Sequence, residues 1–218
     1  MNASTILDRL DTIINRDDYT RALGLAVLNE VARWIENEGD WKFMESIDSS
    51  QTLASGTQQY TVPTRFKRDI DVCVINSSSQ LRYLTELRGT QKDRATPTTN
   101  QSQRPLYYDY FAGSLYVFPV PGSAEVGETI RQRCYVYLAD MTDSTGSTNK
   151  LTEEHPNLLI SGTARDIFNI FEDYEAAKIW HDGKNNKHNF TYEWDCFLKS
   201  QGSKELPSTT PRLRMRMK

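Results

Sequence analysis

From residue 156 onward the apolar positions Ile160, Ala164, Ile167, Phe171 and Tyr174 recur at steps of four, three, four and three. That spacing puts them on one face of an amphipathic helix, with Asp166 and Asn169 off it. A second run, Trp180, Phe190, Trp194 and Leu198, keeps helical phase through the polar stretch 182–189. Residues 153–199 therefore read as a helical pair that cannot bury its own apolar surface and needs partners. Thr152 is the expected cap of its first helix, with Glu153 and Glu154 at the positive end of the dipole and Pro156 in the first turn.

Two more helices open the chain. Ile6, Leu10 and Ile13, with Leu7 and Ile14, form the apolar side of a short one, and Thr5 with Asp8 resembles a capping box. Residues 15–18 break it. The next runs from about Thr20 to Glu38, with Leu23, Val27, Val31, Trp34 and Ile35 inward and Arg21, Asn29, Arg33 and Glu36 outward. Gly39 is its expected stop, and Trp41 and Phe43 anchor the chain that leaves it.

From residue 48 the period changes to two. Ser55-Gly56-Thr57 reads as a turn between two short strands. In 66–75, Ile70, Val72 and Val74 alternate with Asp69, Asp71 and Cys73, as in a half-buried strand, and 81–84 is its hairpin partner. Tyr107-Tyr108-Asp109-Tyr110-Phe111 and Ser114-Leu115-Tyr116-Val117-Phe118 form a hairpin about Ala112-Gly113. Residues 129–138 close the sheet, with Ile130, Cys134, Val136 and Leu138 on one face and Arg131, Arg133, Tyr135 and Tyr137 on the other. Residues 89–104 lack any period and read as a long exposed loop, and 140–150 as a linker. The fold class is thus α+β: N- and C-terminal helices forming one bundle, an inserted antiparallel β domain of five to seven strands, and an extended C-terminal tail. The corresponding segments are 1–45, 46–140, 150–200 and 201–218.

Composition changes this picture mainly through charge. The 218 residues carry a net charge of −3, yet the last eighteen hold five cations against one acid, +4, which leaves −7 elsewhere. An acidic body disfavours nonspecific coating of nucleic acid, which needs a basic face. Three cysteines without CxxC spacing suggest neither a disulfide framework nor a zinc site, and read as partly buried thiols in a reducing compartment. No stretch is apolar enough to span a bilayer and no secretory leader is seen, so the protein is expected to be cytoplasmic where it is made.

The candidate chemistry is sparse. No phosphate loop, HExxH or GxSxG motif is present. His181 and His188 lie seven apart on one predicted helix without a third ligand, so a solvated surface outweighs a metal site, and no catalytic residue, cofactor or metal is assigned. Carboxylate pairs such as Glu30 with Glu36, or Glu172 with Glu175, would suit a glycosidase, although acidic helix surfaces carry such pairs anyway. Arg131, Arg133, Tyr135 and Tyr137, with Tyr107, Tyr108 and Tyr110, form a cationic aromatic face that fits a subunit interface or a core better than a nucleic-acid stacking platform. In the tail, Pro207 and Pro211 favour an extended chain, and Arg212, Arg214 and Arg216 alternate with Leu213, Met215 and Met217 before Lys218. A strand of that kind is suited to docking on a partner.

The order of GDWKFM, QYTVPTRFKRDIDV, SLYVFPVP and EEHPNLLISGTARDIFNIFEDYEAAKIWHDG resembles the head-to-tail adaptor (head-completion, tail accessory) family of short-tailed phages, over about residues 7–198. The resemblance implies a structural virion protein at the head-tail junction, without catalysis. It implies a dodecameric ring bound to the portal protein, monomeric when free, that extends the DNA channel and offers a platform to the tail nozzle protein. DNA would pass without sequence recognition and no membrane would be involved. The helices would form the channel-side bundle with the β block outward, and 207–218 would reach the portal. Arg94 and Pro97 in the long loop, with Tyr107, Tyr110, Arg131, Arg133, Tyr135 and Tyr137, would then contact neighbouring subunits or the nozzle. The alternatives that remain are a virion-associated peptidoglycan hydrolase and a nucleic-acid binding module.

Overall fold

A computed structural model of the chain describes residues 1–87, 104–183 and 186–201. They divide into two compact units: Met1–Phe43 with the chain from Ala139 onward, and Met44–Leu138 between them in sequence. The fold is α+β, with six helices in the first unit and two sheets in the second among the described residues.

The helical unit holds α1 (Ala3–Ile14), α2 (Arg21–Glu38), α3 (Lys150–Glu154), α4 (Pro156–Ile170), α5 (Tyr174–Asp182) and α6 (Phe190–Ser200). At its centre is α4, which touches α1, α2, α3, α5 and α6. Its residues 158–165 are all buried, so the helix is covered on every side along that stretch rather than along one stripe. The small side chains of Ser161, Gly162, Thr163 and Ala164 let its neighbours approach. A Cβ on Gly162 would lie 2.9 Å from Val31 of α2 and 3.1 Å from the Phe190 ring of α6.

The apolar stripe does not run on to Phe171 and Tyr174. Glu172 takes a left-handed φ of 58°, the Asp173 N–H donates to Phe168 O, and Asp173 then caps α5 by accepting from Ala176 N. Tyr174 is consequently 60% exposed on a new helix. The run from Trp180 to Leu198 is likewise two helices, α5 and α6, with Phe190, Trp194 and Leu198 buried.

Caps differ from expectation too. Asn2, not Thr5, caps α1, and Asn149 caps α3 in a reciprocal box with Thr152 at its third position. Gly39 ends α2 in an extended conformation, and its role is space: a Cβ there would meet the Trp41 ring at 2.9 Å. The Trp41 indole N–H donates to Ile35 O, and its ring meets Trp194 and Phe197 edge-on. Glu36 is buried rather than outward, paired with Arg33 at 2.7 Å. Residues 140–150 are more than a linker. Asn29 of α2 bonds both backbone groups of the buried Met141, and Arg33 pairs with Asp140.

The β unit contains β1 (Glu45–Thr52), β2 (Gln59–Thr61), β3 (Phe66–Ile75), β4 (Leu81–Tyr83), β5 (Thr85–Glu86), β6 (Tyr107–Phe111), β7 (Ser114–Phe118) and β8 (Thr129–Val136). They form sheets of order β1-β8-β3-β4 and β2-β7-β6-β5. The eight strands among the described residues exceed the expected five to seven because β2, β4 and β5 are three residues or fewer. The strand pairs are antiparallel as expected except that β5 pairs parallel with β6, so the second sheet is mixed.

Residues from both sheets, Tyr60, Val72, Val74, Tyr108, Leu115, Val117 and Ile130, with Leu53 and Leu84, share one core. The predicted hairpin about Gly56 does not form: β1 joins β8 and β2 joins β7, one in each sheet. Leu53, buried at the end of β1, directs the chain across. The β3–β4 and β6–β7 hairpins form as expected. In β3 a register shift between Asp69 and Asp71 resets the alternation. Asp69 therefore reaches the Tyr108 hydroxyl, while Cys73 is fully buried.

Candidate functional site

The cationic aromatic residues do not make one platform. Arg131, Arg133 and Tyr135 project from β8, whereas Tyr107, Tyr108 and Tyr110 belong to β6 in the other sheet. Both arginines face local acids. Arg133 lies 2.7 Å from Glu45 and 3.8 Å from Asp71, and Arg131 lies 3.8 Å from Asp71 with its guanidinium donating to the Tyr83 hydroxyl. A phosphate would have to compete with these acids, which weakens the case for a nucleic-acid surface. Ile47, Leu81 and Tyr83 flank this face and are exposed. It suits contact with protein better than with a polyanion.

Tyr108 and Tyr110 are structural. Tyr108 donates to Asp69 at 2.8 Å and Tyr110 to Gln132 at 3.2 Å, and burial raises both phenols well above their ordinary value. Tyr107 is 38% exposed and remains available at the surface. Tyr137 of β8's continuation donates its backbone N–H to Arg65 O and has Lys67 over its ring. Burial pushes the Cys134 thiol up to about 11 and raises that of Cys73, so both are inert, while Cys196 is exposed on α6. Arg94, Pro97, Pro207, Pro211, Arg212, Leu213, Arg214, Met215, Arg216, Met217 and Lys218 lie outside the described residues.

His181 and His188 do not share a helix. His181 is in the last turn of α5, and His188 lies before α6, its Nδ1 2.7 Å from Glu193. Among the described residues no group of three His, Cys, Asp or Glu side chains is arranged to hold a metal. Glu36 is held by Arg33, and Glu172 and Glu175 are exposed.

Two features of the helical unit escaped the sequence reading. Arg165, only 5% exposed, forks onto Asp166 and lies 4.2 Å above the Phe190 ring. His181 stacks against the same ring, and its Nδ1 has no hydrogen-bond partner among the described residues. Burial, with Arg165 alongside, holds that imidazole below its ordinary value. The second feature is a cleft of about 480 Å³ among α1, α4 and α5. Its apolar lining is Ile13, Ile160 and Trp180, and its polar edge includes Asp8, Arg9 and His188. Trp180 was legible only as a helical apolar residue; that it remains partly buried beside an open cleft depends on how α1 crosses α4.

The sequence matches the family described as SU10 adaptor protein over residues 1–186. Comparison with curated proteins finds no match. The family match reaches into both units, from α1 to the end of α5.

Proposed function

We propose, given that the chain belongs to the SU10 adaptor protein family of phage structural adaptors, that it forms the ring between portal protein and tail nozzle protein in the virion. The family match over 186 residues carries this reading. In it, twelve copies close on the portal, extend the DNA channel and present a docking platform to the nozzle, with no catalytic step of their own. Three features support it. The chain outside its last eighteen residues carries a charge of −7, which lets DNA slide rather than be held by many phosphate contacts. The arginines of β8 are engaged by acids of the same sheet. No helix is long and apolar enough to cross a membrane among the described residues.

The tail from Pro207 to Lys218, with its alternating Arg212, Arg214 and Arg216, is the proposed portal-docking element. Ordering an extended tail on docking costs entropy, which delays ring closure until the portal supplies the site. Mixing the purified protein with portal rings of the same phage is the direct test, read by sedimentation and negative-stain imaging. A stable ring complex is expected with the full chain and none after deletion of 207–218. A truncated chain that binds as well as the full one overturns the tail assignment, and a full chain that fails to bind overturns the adaptor position.

A further inference from the structure

The corner where α4 ends and α5 begins is both apolar and acidic. Ile170, Tyr174 and Ile179 are 53%, 60% and 53% exposed, large fractions for side chains of this size. Glu172 and Glu175 are exposed between and beside them. The cleft on α1 has the opposite character. Its lining is apolar through Ile13, Ile160 and Trp180, and the exposed cations Arg9 and Lys187 stand at its edge or next to it. Neither cation makes an ion pair among the described residues, and the acids nearby are engaged elsewhere: Asp8, at the same edge, by Arg21 at 2.8 Å, and Glu193 by His188 at 2.7 Å.

The two surfaces share one helix but lie on different sides of it. Ala177 is the buried contact of α5. Tyr174 and Trp180 stand three residues before and after it, which at about 100° per residue places them on opposite flanks, roughly 120° apart. A single copy cannot bring its own corner into its own cleft. A twofold axis would pair each copy's corner with the other's cleft and close the contact at two copies, whereas any other rotation leaves one corner and one cleft free to continue it.

We infer that neighbouring copies meet head to tail, the corner at Ile170 and Tyr174 of one entering the α1 cleft at Trp180 of the next, with Glu172 and Glu175 against Arg9 and Lys187. Such a contact is heterologous, the kind that closes into a ring when the rotation per subunit allows it. Tyr174 is the anchor, a large amphipathic ring that buries apolar area while its hydroxyl stays at the polar edge. This rests on the ring reading above and supplies its lateral contact.

Directional cross-linking tests it with the full chain. In a Cys196→Ser background, Thr12→Cys marks the cleft and Ile170→Cys the corner. Oxidation of the two variants mixed is expected to give at least about tenfold more disulfide dimer than either alone, and the doubly substituted chain should give a ladder of higher oligomers. Adding Tyr174→Ala to the Ile170→Cys chain should lower the mixed yield about tenfold with an unchanged circular dichroism melt. Arg9→Glu in the cleft copy should lower it about fivefold, and Glu175→Arg in the corner copy should restore it. Equal yields from single and mixed variants, or no dimer either in solution or on the portal, overturn the interface. Portal binding of the unmodified chain is measured alongside. Binding without the cross-link removes this contact alone, whereas the cross-link without binding removes the adaptor position and leaves the contact.

Discussion

Gly162 sits where α2 and α6 both press on α4, and the first atom of any side chain there would fall 2.9 Å from Val31 and 3.1 Å from Phe190. Gly162→Val is expected to destabilise the helical unit by about 1–3 kcal/mol through overpacking, read as a lower urea midpoint with an unchanged slope. Two imidazoles set a pH dependence. His155, edge-on to Phe197, and His181, stacked on Phe190, are both held below the ordinary imidazole value, chiefly by burial. Glu154 and Glu193 oppose that shift at His155, as do Asp182 and Asp166 at His181, where Arg165 adds to it. Well above the ordinary imidazole value of about 6.5 both imidazoles are neutral whether the chain is folded or not. As pH falls below that, the unfolded chain takes up protons that the folded one resists, so stability declines through the folded values. Urea midpoints should be lower at pH 5 than at pH 7.5, and His155→Gln with His181→Gln should flatten that difference. An equal difference in the double variant would assign it to the carboxylates. At this scale the sequence was least legible: Glu36 and Arg165 are charged residues that look solvent-bound until their partners are in place.

Helices and strands were legible where their period is local. α2 runs within a residue of its expected limits, and Thr20 caps it by accepting from Leu23 N. The Ala112-Gly113 hairpin was visible from its turn and its aromatic strands. Both turn residues take positive φ, 47° and 74°, as a two-residue hairpin loop requires. Alanine bears a cost there that asparagine largely avoids, so Ala112→Asn should stabilise the β unit by about 0.5–1 kcal/mol, measured as a raised midpoint for its transition. At α3 the reciprocal bonds between Asn149 and Thr152 satisfy two donors at once. Asn149→Ala should cost about 1 kcal/mol and raise amide exchange over residues 150–154. What failed at this scale were boundaries that depend on a single left-handed residue. Glu172 ends α4, and nothing in a glutamate announces a positive φ.

The whole molecule is a helical unit whose chain is interrupted by a β unit with adjacent ends. Glu45 pairs with Tyr135 in the ladder, and the Tyr137 N–H bonds Arg65 O. A fragment of residues 44–138 is therefore expected to fold alone, with cooperative urea unfolding and dispersed amide resonances, because its core draws only on its own strands. A fragment that stays collapsed without cooperative unfolding would show that the core needs more than these strands. The order of helices, strands and helices and the α+β class were settled by sequence alone, since periods of 3.6 and two residues and short turn motifs are local properties of the chain; the adaptor family was legible too, through the resemblance of its motifs in order and the family match over residues 1–186. Strand pairing was not. That β1 and β2 part into different sheets, and that Arg131 and Arg133 are matched by Asp71 and Glu45, follow from contacts between residues distant in sequence. The open cleft beside Trp180 likewise exists only because α1, α4 and α5 cross as they do, and no spacing along one helix encodes the surface that three helices leave uncovered.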